Sequence, residues 1–163
     1  GARQGHNPRT ARHAGCAMHV RAPPAPGLRA VPVSRLQPID QNWATFFNRH
    51  VVDANYGGLA FEEEGERCAQ LLTDPKVRVM VMGNHGVLVI GDTVADTFNR
   101  MFYFERAAET YIKALWTGRP LRTLSDAIAE KTAAEANDYP GQAERHLAEL
   151  KAILDEQEPV YRN

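Results

Sequence analysis

Apolar residues recur along this chain in blocks whose spacing switches between helical and extended periods. Asp40 stands where a helix cap is wanted, because Trp43, Phe46 and Phe47 follow at i, i+3 and i+4 and share one face. The turn signal Tyr56-Gly57-Gly58 leads to a second helix opened by Glu62, Glu63 and Glu64, whose carboxylates suit a helix N-terminus. Its buried face is expected to be Cys68, Leu71 and Leu72, and Asp74-Pro75 ends it. Residues 77–82 and 87–90 are short, β-branched apolar runs that predict two strands around Gly83-Asn84-His85-Gly86. Asp92 or Thr93 caps a long helix with the stripe Val94, Phe98, Met101, Phe102, Ala108, Ile112 and Leu115, closed by Gly118 and Pro120. Ser125 opens a further helix, and after Pro140 the positions Ala143, Leu147, Leu150 and Leu154 mark a last amphipathic one. This alternation predicts an α/β layered domain.

Composition narrows the class. A chain of 163 residues with 44% apolar and 24% charged residues is one ordinary globular domain, not a disordered one. No apolar run is long enough for a membrane span, and the Arg-rich start lacks the apolar core of a secretory signal. Cys16 and Cys68 form no ligand pair and fit free thiols in a reducing cytoplasm. The net charge of −1 conceals an asymmetry: residues 1–39 carry six arginines and no acid, while the rest of the chain is acidic. That basic block also holds six of the ten prolines and no aromatic residue for stacking on bases. It is therefore expected to be loosely ordered rather than a nucleic-acid arm.

Three residues invite chemistry. His85 sits between two strands, where Gly83 and Gly86 permit positive φ or close backbone approach. It is either a turn histidine bonded locally or one presented as a ligand or catalyst. His19 follows a short apolar run, and from its own context it is an ordinary, partly buried histidine. Glu105 falls on the apolar stripe of the long helix, where a carboxylate needs a partner: an arginine, or a place behind a metal ligand. The last helix, a charged face over a leucine seam, can pack on its own sheet or on another subunit.

Taken in order, these segments resemble the class II aldolase/adducin family. The resemblance rests on Cys16-Ala17-Met18-His19-Val20, Leu36-Gln37-Pro38-Ile39-Asp40-Gln41, Tyr56-Gly57-Gly58-Leu59, Glu64-Gly65-Glu66-Arg67, the run from Gly83-Asn84-His85-Gly86 to Gly91, and Phe104-Glu105-Arg106-Ala107-Ala108. It implies a three-layer α/β/α sandwich around a largely antiparallel sheet, assembled as a homo-oligomer. Residues 1–38 would be an atypical basic segment of a single partial domain, 39–118 its best-matching core and 119–163 its C-terminal helices. It further implies a divalent metal, commonly Zn²⁺, acting on a small sugar-like hydroxy-carbonyl substrate in an aldehyde-lyase reaction. Carried over, His19 and His85 are the metal ligands. The family's second ligand position is occupied by Arg21, whose guanidinium has no lone pair to donate. No glutamate precedes His19, where the family keeps its proton-handling glutamate, so the chain reads as N-terminally truncated. The expectations are a weakly held metal and no turnover, with a non-catalytic, adducin-like assembly module as the alternative.

Overall fold

The strands β1 (Cys16–Val20), β2 (His50–Asp53), β3 (Val79–Met82) and β4 (Gly86–Gly91) form one sheet in the order β1-β4-β3-β2. The computed structural model describes residues 15–20, 36–57 and 62–162. Arg21 and most of the basic N-terminal block lie outside the described residues. β4 runs antiparallel to both β1 and β3, whereas β2 runs parallel to β3. The sheet is thus mixed, largely antiparallel with one parallel edge. A parallel neighbour needs a crossover connection, and here it contains helix α2 (Glu62–Leu71).

Side chains alternate across the sheet, and the two faces differ. Val79, Val81, Val87 and Val89 point to one side and are almost wholly removed from solvent, with Met18 and Val20 joining them from β1. Strand register turns His19, Met80, Met82, Gly86 and Leu88 to the other side. Against the valines pack Met101, Phe104, Ala107, Ala108 and Tyr111 of the long helix α3 (Val94–Trp116). Trp43 of the short helix α1 (Gln41–Ala44) packs edge-on to Phe104 and Tyr111, at centroid distances of 5.4 and 5.5 Å. Each such aromatic pair adds about 0.5–1.5 kcal/mol beyond its area burial. The arrangement leaves Trp43 Nε1 buried without a hydrogen-bond acceptor among the described residues, a cost of about 1–3 kcal/mol.

Caps set the helix starts as expected. The Asp40 carboxylate accepts from Trp43 N at 2.7 Å, Thr93 rather than Asp92 caps α3, and Ser125 caps α4 (Asp126–Asn137). Gly118, at φ 64°, follows the end of α3. Helix α4 buries Ala129 and Ala133 against Ala44 and Phe47, and α5 (Gln142–Gln157) lies along α3. On the opposite face of the sheet α2 is tied through Arg67 to Asp53, which gives the third layer.

Three expectations need correction. Leu71 is exposed, so of the expected face only Cys68 and Leu72, the latter just past the end of α2, are half-buried. Val94 is exposed at the mouth of α3, and Phe98 and Phe102 meet His146 of α5 instead of the sheet. The physical reason is that α3 has two covered flanks, and a single apolar stripe cannot describe both. Within this chain α5 packs on α3 instead of on the sheet, with Leu147 and Leu150 half-buried and Leu154 exposed. Among the described residues no helix is long and apolar enough to cross a membrane.

Candidate functional site

The β3–β4 turn fixes His85. Gly83 N donates to the Asp53 carbonyl at 2.7 Å, and His85 N donates to the Met82 carbonyl at 3.1 Å. The positive φ falls on Asn84, at 55°, and not on the glycines. Gly86 is required instead for close approach: a Cβ there would lie 2.7 Å from the Val20 carbonyl oxygen and 2.8 Å from His19 Nε2. Bare backbone at Gly86 is what makes room for the His19 ring.

β1 delivers His19 from across the sheet, paired with Leu88 and diagonal to Gly86. The two imidazoles come together, stacked with centroids 5.0 Å apart and planes 21° from parallel. His19 is exposed rather than partly buried, because its strand position points away from the valine core. His85 is half-buried and covered by Tyr56, whose ring centroid is 4.4 Å away. Sequence reasoning read Tyr56 only as part of a turn. Its signal was its place in the Tyr56-Gly57 motif ahead of the His85 turn.

A neighbouring polar cluster has different chemistry. The guanidinium of Arg67 donates to both oxygens of buried Asp53 and to both oxygens of Glu64, at 2.5–3.1 Å. The Arg67 hydrogen bond holds the Glu64 carboxyl below the ordinary glutamate range, and the two carboxylates in turn hold Arg67 firmly charged. Burial pushes the Cys68 thiol up. The donor atoms of Asp53, Glu64 and Cys68 lie within 4.8 Å of one another, a possible acidic metal site by distance. The donor chemistry fits a cation poorly, since all four carboxylate oxygens already accept from Arg67, whose charge a metal ion would have to displace or oppose, and burial disfavours the thiolate. The histidine pair offers the better donor type, since imidazole nitrogens are common ligands of divalent transition ions. Glu105 is half-buried on α3, with Oε1 shielded from solvent.

This fold is that of the class II aldolases. An aldolase II superfamily protein from Pseudomonas syringae superposes with a TM-score of 0.83 at 25% identity, over 94% of this chain and 61% of that one. An L-fuculose-1-phosphate aldolase from Thermus thermophilus is similar at a TM-score of 0.55 and 23% identity, over 70% of this chain and 62% of the other. Residues 9–112 match the family described as Class II Aldolase and Adducin N-terminal domain, and the chain belongs to that family. The β-adducin of Rattus norvegicus is 30% identical over 101 residues, 61% of this chain and 13% of that protein. The chain therefore spans a small part of the adducin it matches and about three fifths of the bacterial structure.

Proposed function

We propose that this chain carries the metal-binding pair of an aldehyde-lyase-type domain for small sugar-like hydroxy-carbonyl compounds, with His19 and His85 as ligands. The observation that supports it is the 5.0 Å stack of the two imidazoles over a glycine whose Cβ would strike one of them. A bound zinc or other divalent ion supplies Lewis-acid polarisation of a carbonyl oxygen. The chain's own residues orient the pair: Tyr56 covers one side of His85, and the Met82 carbonyl holds the turn. Arg21 follows His19 by two positions in the sequence and has no lone pair to offer, so the ion is weakly held and this chain does not turn over. The protein on this reading is a cytoplasmic homo-oligomer.

A second reading is favoured by the 30% identity to β-adducin together with Arg21: a non-catalytic assembly module on the same fold. Bound-metal content of the purified protein, measured beside Arg21→His and His85→Ala made identically, separates the two. Weak, substoichiometric zinc in the parent, more in Arg21→His and none in His85→Ala is the expected result. Zinc in none of them overturns the metal reading and leaves the assembly module. Retro-aldol activity in the parent that disappears in His85→Ala overturns the prediction of no turnover.

A further inference from the structure

At the other end of the sheet from His85 lies a cavity of about 640 Å³, bounded by α1, α3, α4 and the start of α5. Its volume falls within the range of small-ligand pockets. The strands separate it from the histidine pair, because His85 lies in the turn after β3 while Arg78 precedes β3 and α3 begins after β4.

Three guanidinium groups line it, from Arg49, Arg78 and Arg100, against the carboxylates of Asp96 and Glu135. The acids are already committed. Asp96 Oδ1 accepts from Arg100 Nε at 2.8 Å and its Oδ2 accepts from Asp92 N at 3.0 Å, while exposed Glu135 pairs with Lys131. Arg49 is held by the Phe47 carbonyl and Glu130, and Arg78 Nη1 donates to Asp92 Oδ1 at 3.4 Å. Arg100 differs from both of the other arginines. Its side chain is 16% exposed, Asp96 uses Nε, and neither terminal nitrogen has a hydrogen-bond partner among the described residues. Tyr103, one turn further along α3, also lines the cavity. A largely buried side chain whose two terminal nitrogens reach solvent and are claimed by no described residue presents the fork that a two-oxygen acceptor takes.

We infer that this cavity binds a small molecule through a carboxylate or phosphoryl group, gripped by the terminal nitrogens of Arg100. The inference does not depend on the metal site. It is tested on the intact chain by calorimetric titration and thermal melts with inorganic phosphate and, separately, succinate. Ionic strength is fixed with chloride, and metal is removed beforehand with the uncharged chelator 1,10-phenanthroline, which carries no carboxylate to compete. The expected result is saturable binding of at least one oxyanion. Arg100→Gln should weaken it by about tenfold or more, the scale of a lost charge-assisted hydrogen bond. Arg119→Gln, at an exposed position after α3, should leave it unchanged. Binding of phosphate but not succinate identifies a phosphoryl ligand, and the reverse a carboxylate. If Arg100→Gln fails to fold, Arg100→Lys keeps the charge and removes the fork, and guanidinium resonances of the parent report contact directly. No saturable binding, or equal binding in the Arg100 variants, overturns the inference.

Discussion

At the residue scale, the site depends on an atom that is missing. Gly86 has backbone oxygen on one side of its absent side chain and the His19 ring on the other, at 2.7 and 2.8 Å from where a Cβ would stand. The ring can swing aside, but the Val20 carbonyl belongs to the β1–β4 pairing and can move only with the strand. Gly86→Ala is therefore expected to cost about 1–3 kcal/mol, the range for overpacking a tight site. It should also separate the imidazoles. Chemical denaturation reads the first effect, and the ring resonances of His19 and His85 the second. A stability loss with the rings unmoved would contradict this account of Gly86. A Gly83 variant tests the contrast, since its added Cβ meets the Asp53 and Ala54 carbonyl oxygens at 3.1 and 3.2 Å. It should perturb the β2 side of the turn and spare the histidine stack.

At the scale of elements, α2 is held to the sheet by charge more than by apolar contact. Leu71 is exposed, and the anchor is Arg67 bridging Asp53 and Glu64. Because Glu64 titrates below its ordinary value when folded, the folded state binds fewer protons than the unfolded chain in that window. Its contribution is fully present above the ordinary glutamate pKa, about 4.3, and is lost as pH falls through the lowered folded value. Glu130, held down by its hydrogen bond from Arg49, acts in the same direction. Arg67→Met is expected to lower the urea midpoint at neutral pH, since it leaves buried Asp53 without its counter-ion. Its deficit against the parent should shrink as pH falls below the carboxylate range. A deficit independent of pH would mean that Arg67 acts through packing alone. Much at this scale was legible in the sequence. The caps Asp40, Thr93 and Ser125 and the strands flanking His85 are local signals, and local physics was enough for them. β2 was not legible, because four residues with two adjacent valines carry no alternation and become a strand only by pairing with β3. The pairing of His19 with His85 was likewise a matter of family resemblance, since 66 positions of chain separate them and only the sheet order brings them together.

For the whole molecule, stability is graded from the sheet outward. Val79, Val87, Val89 and Phe104 are fully shielded, whereas α5 buries no residue completely and sets His146 against α3. That imidazole sits among Phe98, Phe102 and Tyr103, with Nδ1 2.8 Å from Asn99 Oδ1. Amide exchange is expected to be slowest in β3, β4 and the middle of α3, and faster throughout α5. His146→Ala should accelerate exchange in α5 while leaving β4 unchanged; uniform acceleration would show α5 to be part of the cooperative core. The same grading bears on how the two imidazoles find each other. β1 lies at one edge of the described sheet and is paired there with β4 only. Were β1 to slip by a single residue, alternation would drive His19 into the valine layer and turn Met18 outward. A chain folded out of step thus cannot assemble the imidazole pair, and an ion bound as proposed would act as a proofreader of strand alignment.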